Sequence, residues 1–245
     1  MRVALIAGVD GRRGGWAVAL VTLGGSRPVV AWHVVGGQDA EGFRAVLELV
    51  RDADAVGLDC PIGLPADRWR PCDLLAKKRL GRGSARVFLT PPRPVLAAPT
   101  YPEARLVARD LLSGRGVSAQ SYGLRRVVLA VDEVLSTCGV RGGPGAPELP
   151  PRPDVVEVHP ELSFMAHAGR APGDPLPSKK TAAGRAARLA GLGRWVPDAV
   201  ADAPDGDDGL DALAAAWSAW RYATGAAEIL GGEHDEHGLP MRIVV

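Results

Sequence analysis

Cysteine is scarce in this chain. Cys60, Cys72 and Cys138 are the only three in 245 residues, an odd number with no CxxC pair. That argues against a disulfide framework and against a structural zinc, and it points to a reducing, cytoplasmic setting. Long apolar runs are also missing; none comes near the roughly 20 residues that a membrane-spanning helix needs. No signal-peptide cleavage pattern precedes the first strand-like run. There is no internal repeat and no heptad seam, which excludes a solenoid and a coiled coil. Neither Gly14-Gly15 nor Gly81-Arg82-Gly83 fits the GxxxxGK[ST] phosphate loop. A net charge of +1 gives the whole chain no general attraction for polyanions.

What is present is ordinary in total and uneven in place. With 47% hydrophobic and 23% charged residues the composition is that of a globular protein. The length suits a single domain over residues 1–245, with room for an insertion. Residues 60–130 hold 13 Lys+Arg against 4 Asp+Glu, so an otherwise acidic chain carries one basic segment. Such a segment suits a phosphate-binding surface, and a solvated Arg-rich face is the plain alternative.

Hydrophobic patterning gives an α/β arrangement. Residues 3–9, 16–23 and 29–35 read as three strands joined by Gly-rich turns, an antiparallel meander. Asp39 is placed to cap a helix through Arg51, with Phe43, Val46, Leu47 and Val50 on one stripe. Ala55 to Asp59 reads as a fourth, wholly apolar and therefore central strand. A largely helical insertion, about 60–153, follows, with helices near 72–80, 102–113 and 124–138 and a Pro/Gly-rich linker at 141–154. Val155 to Val158 is a fifth strand, and Pro160 starts the next helix. Ser178 is placed to cap a helix from Lys179 to about Leu192, another helix runs from about Asp207 to Gly225, and Met241 to Val245 forms an edge strand.

Four acids stand out. Asp10 and Asp59 each close an apolar strand, where a carboxylate is costly unless compensated. Asp208 and Asp211 share one face of the last helix, opposite Leu210, Leu213, Trp217 and Trp220. A helix apolar on nearly all sides is buried, so these carboxylates are pressed inward, where a proton or a divalent cation relieves their repulsion. Asx-type turns at Asp10 and Asp59, and a favourable helix dipole at Asp208, are the plain alternatives. Glu157 is a candidate further ligand or supporting acid, and His159 a candidate proton shuttle or simply a hydrogen-bonded histidine. Arg12, Lys179, Lys180, Arg79 and Arg86 are candidate phosphate contacts. Trp69 and Tyr101 are candidates for base stacking or for packing, and Glu233-His234-Asp235-Glu236-His237 for a metal tract or a solvated loop.

The strings GVDGRRGGWAVAL, GLDCPIGLP, RPCDLLAKKRLG, YPEA, EVHPELSF, SKKTAAGRAAR and DDGLDALAAAW, in this order between about residues 8 and 225, resemble a bacterial family described as predicted RNase H-like nucleases. The resemblance implies the RNase H-like sheet, three antiparallel and two parallel strands flanked by helices. It implies that Asp10 and Asp59 bind metal together with Asp208 and Asp211, which resemble the D-x-x-D helix pair of Holliday-junction resolvases. The reaction so implied is phosphodiester hydrolysis with Mg²⁺ or Mn²⁺, two ions about 3.5–4 Å apart. The partner is then DNA or RNA, with no membrane association, and a homodimer is left open. Two other functions stay in view: an ATP-binding module related to the actin and sugar-kinase lineage, using the hairpin from Asp10 to Gly15, and a nucleic-acid binder without catalysis.

Overall fold

The structure, a computed structural model, describes residues 4–25, 27–139, 153–197 and 207–245, with only the backbone of Cys138 and Gly139. The expected linker at 141–154 lies, but for its last two residues, outside the described residues. The first three strands are β1 (Ala4–Arg12), β2 (Gly15–Leu23) and β3 (Val29–Gly36). They form the expected antiparallel meander, with Arg12 paired to Gly15 across a hairpin that needs the left-handed backbone of Gly14 (φ 79°). Helix α1 (Ala40–Leu49) starts where expected, because the Asp39 side chain accepts the Gly42 N–H at 2.9 Å.

Strand β4 (Ala55–Asp59) lies parallel to β1, and β5 (Asp154–Val158) lies parallel to β4. Between β4 and β5 come α2 (Pro71–Leu80), a short 3₁₀ helix (Gly81–Arg86), α3 (Arg93–Ala97), α4 (Tyr101–Leu111), α5 (Ala119–Gly123) and α6 (Arg125–Gly139). After β5 follow α7 (Pro160–His167), α8 (Ala182–Trp195) and α9 (Asp208–Ala223), then β6 (Ile229–His234) and β7 (Pro240–Val244). Among the described residues no helix is long and apolar enough to cross a membrane.

Three expectations are corrected. The mixed sheet has seven strands among the described residues, not five, in the order β3-β2-β1-β4-β5-β7-β6. The C-terminal strand is internal, parallel to β5 on one side and antiparallel to β6 on the other. Strand β6 escapes a pattern search because its ladder is interrupted at Gly231 and Glu233, with Gly231 and Gly232 at φ 91° and 146°. Lastly, α8 begins later than expected. Thr181, not Ser178, caps it by accepting the Gly184 N–H at 3.1 Å, so Lys179 and Lys180 lie in the turn before the helix.

Side-chain alternation along the strands decides what each face carries. Ala7, Val9, Val18, Trp16, Val56 and Leu58 pack with Phe43 and Val46 of α1 and Val128 and Val131 of α6. Ile6, Ala17, Ala19 and Ala55 face α9 and pack with Leu210, Leu213 and Ala216. On that second face Gly8 and Gly57 let the backbone of α9 lie on the sheet. A Cβ at Gly8 would stand 1.9 Å from the Ala212 carbonyl oxygen, and one at Gly57 2.2 Å from that of Ala215. As expected, α9 is enclosed from Gly209 to Ser218.

Gly8→Ala is therefore expected to destabilise the protein by about 1–3 kcal/mol or more, because the helix has to lift off the sheet. Gly123→Ala, where an added methyl meets nothing within 4 Å, serves as the comparison and stays near neutral. Urea denaturation of both variants measures the difference; equal midpoints would refute the close approach.

Candidate functional site

The alternation that seats α9 also aims two acids. Ile6, Gly8 and Asp10 share one face of β1, and Ala55, Gly57 and Asp59 share the same face of β4. Asp10 and Asp59 are register partners, the last pair of the parallel ladder. Helix α9, lying across Gly8 and Gly57, brings its first turn over them. Asp10 and Asp211 are each only 7% exposed. The sequence-predicted acids of two strands and one helix thus meet at one end of the sheet.

Their electrostatics record the crowding. Burial, then the charges of Asp59, Asp211 and Asp208, hold the Asp10 carboxyl well above the usual carboxylate range. Burial and Asp211 push Asp59 up to about 8, against the opposing pull of Lys179. Asp10 and Asp59 share a hydrogen bond that favours the proton on Asp10. Burial also raises Asp211, although Lys179 Nζ lies 2.7 Å from its Oδ2. Burial by itself would lower the Lys179 ammonium, but Asp211, Asp207 and Asp10 raise it on balance. Among the described residues no three acidic, histidine or cysteine side chains already form a cage for an ion.

A cavity of about 1290 Å³ opens onto this cluster, with Asp10, Asp59 and Asp211 in its wall. Asp208 does not line it and acts on Asp10 through its charge. Glu157 lines the cavity from the other face of the sheet, since it pairs with Leu58 rather than with Asp59. Its Oε2 accepts the Ile62 N–H at 2.8 Å and is paired with the fully buried Arg70, which also faces Asp73 at 3.4 Å. Burial pushes Glu157 up to about 7 despite Arg70. It ties β5 to the segment before α2, a place its strand-end position did not reveal. His159 also lines the cavity. A ring nitrogen, Nε2, donates to the Arg86 carbonyl at 3.3 Å, Nδ1 is buried with no partner, and burial lowers the ring below its usual pKa.

The basic candidates separate. Lys179, Lys180 and Arg86 line the cavity, whereas Arg12 and Arg79 do not. Most of the expected phosphate-binding cluster is spent on internal contacts. Arg79 pairs with Glu228 at 3.1 Å, Arg82 with Asp174 at 2.9 Å and Arg86 with Glu161 at 2.6 Å, while Lys77 donates to the Ser84 and Val87 carbonyls. Trp69 and Tyr101 pack against the core of α3 to α5, and the Tyr101 hydroxyl donates to the Val117 carbonyl at 3.0 Å. In the acidic tail, Asp235 is a buried anchor that accepts from the Leu64 and Leu239 N–H groups and pairs with Arg93 at 2.8 Å. Phe88, Gln120 and Arg126, which also line the cavity, had no signal in the sequence beyond their residue types.

Fold and site together describe a mixed α/β protein with an acidic cluster at the end of its parallel strands, inside a large cavity. The family model described as a protein of unknown function, DUF429, matches residues 8–236, and the chain belongs to that family. No curated protein and no solved structure matches it.

The raised carboxyls fix a pH dependence. Between the ordinary aspartate value and about 8 the folded protein holds protons that the unfolded chain has released, so stability falls as pH rises through that window. Asp59→Asn is expected to raise stability at pH 8 by about 1 kcal/mol or more, with the gain vanishing near pH 4. Thermal melts of wild type and variant across that range test it; a gain that is constant with pH would contradict the assignment.

Proposed function

We propose that the protein is a divalent-metal-dependent nuclease of the RNase H-like type, hydrolysing phosphodiester bonds of DNA or RNA. The observation that carries this reading is the convergence of Asp10, Asp59 and Asp211 from β1, β4 and α9 on one cavity, where burial raises the pKa of each above the usual carboxylate range. Carboxylate oxygens are the donors that Mg²⁺ and Mn²⁺ select, and an ion there replaces the protons that the cluster otherwise requires. Asp10, Asp59 and Asp211 would hold the metal, with Asp208 adding charge nearby. When bound, it activates water and stabilises the leaving oxygen.

The chain's own residues do the rest. Lys179 orients Asp211 and offsets part of its charge. Lys180 and Arg126, both exposed on the cavity and without an ion pair among the described residues, are free to meet phosphate oxygens. The buried pairs of Arg70 with Glu157 and Asp73 keep the end of β5 fixed beside Asp59. Hydrolysis adds water across one P–O bond, leaving one hydroxyl and one phosphate monoester end.

Wild type is expected to cleave labelled DNA or RNA oligonucleotides with Mn²⁺ and not with excess chelator. Asp10→Asn and Asp211→Asn are each expected to lose about 100-fold or more of this activity, with unchanged circular dichroism. Cleavage retained by both variants would refute the site. ATP binding without cleavage would favour the nucleotide-binding alternative.

A further inference from the structure

The carboxylates occupy only one part of the cavity wall. Another part is apolar, formed by Phe88 and Leu89 after the 3₁₀ helix, Leu124 between α5 and α6, and Val127 of α6. Phe88 and Leu124 remain 42% and 47% exposed, so this surface is left open to the cavity instead of being packed away. Apolar surface kept open beside polar groups marks a ligand site. Gln120 and Arg126 stand on the same wall, able to donate hydrogen bonds beside it.

A phosphate group makes no use of an apolar wall. The sugar and base attached to that phosphate do, because every base presents a π-face to an aromatic ring. The volume of about 1290 Å³ exceeds the roughly 300–1,000 Å³ of most small-molecule pockets, which leaves room for a nucleotide and its flanking phosphate. A base stacked inside a duplex does not reach a recessed wall; it has to be unpaired or turned out first. The carboxylates are recessed in this sense, since Asp10 and Asp211 are each only 7% exposed in a cavity also lined from residues 86–91, from α5 and α6 and from residues 178–180.

We propose that the cavity receives one unpaired nucleotide, its base against Phe88 and Leu124 and its phosphate at Asp10 and Asp59, so that the substrate is single-stranded nucleic acid or a frayed end and not continuous duplex. This rests on the phosphodiesterase reading of the same site. Phe88 is then a specificity residue. Lys180 and Arg126 take the flanking phosphates, and Gln120 borders the base.

The test has a binding arm and a cleavage arm. In the first, a tetranucleotide carrying 2-aminopurine is titrated with Asp10→Asn protein, in DNA and in RNA form, and its fluorescence is followed. Binding with quenching is expected, weakened about tenfold by adding Phe88→Ala and restored by Phe88→Trp. In the second, wild type cleaves single-stranded oligonucleotides in preference to closed circular duplex, and Phe88→Ala loses about tenfold in kcat/KM, chiefly through KM. Phe88-dependent binding with no cleavage of any substrate would overturn the nuclease reading and support the base pocket. Cleavage unaffected by Phe88→Ala, or equally fast on closed circular duplex, would overturn the base pocket and leave the nuclease reading standing. Neither binding nor cleavage would overturn both.

Discussion

The repulsion among Asp10, Asp59 and Asp211 is the constraint around which the rest of this structure is arranged. Carboxylates so close together and so little hydrated do not all remain charged without a proton, a cation or both. The fold imposes that proximity by backbone means. Parallel register sets Asp10 beside Asp59, and two glycines let a helix lie on the strands closely enough to deliver Asp211. Lys179 offsets one charge, and protons offset the others. A cation bound there would recover the stability given up at neutral pH and would link folding to occupancy of the site.

Around that cluster the polar groups fall into two kinds. Arg70, Glu157 and Asp73 form a buried network that joins the end of β5 to the start of α2, and Arg93 joins Asp132 of α6 to Asp235 at the C-terminal hairpin. These pairs fix the segments that wall the cavity, and removing one partner would strand a buried charge. Lys180, Arg126 and Gln120 are of the second kind, on the cavity and outside any ion pair among the described residues. Much of the basic character of residues 60–130 is therefore structural, since Arg68, Arg70, Arg79, Arg82, Arg86 and Arg93 reach acids supplied by later parts of the chain.

The meander, α1, the central strand and the helix that carries Asp208 and Asp211 were legible from periodicity, turn glycines and the Asp39 cap. The acids of the site were legible too, as carboxylates ending apolar runs. Other features left no local mark. Strand β6 carries two glycines and only one buried residue, Leu230, so neither β-propensity nor alternation announces it. The start of α8 was misplaced because Ser178 and Thr181 are both competent caps, and only the chain path shows which one has a helix beginning beside it. Arg79 reads as a free cation until Glu228 arrives from 149 residues away.

The sequence by itself determined that strand-end acids would meet a buried acidic helix, because apolar runs, small residues and carboxylate positions are properties of the chain read locally. It did not determine the face on which each acid would stand. Before Asp59 and Glu157, Ala55 to Leu58 of β4 and Val155-Val156 of β5 are apolar, so no alternation distinguishes the two sides, and Glu157 reads only as a candidate further ligand or supporting acid beside Asp59. Tertiary structure decided that Asp59 faces α9 while Glu157 turns to Arg70. The outcome depends on strand register and on which element covers each face of the sheet, and both are fixed by contacts between residues far apart in the chain.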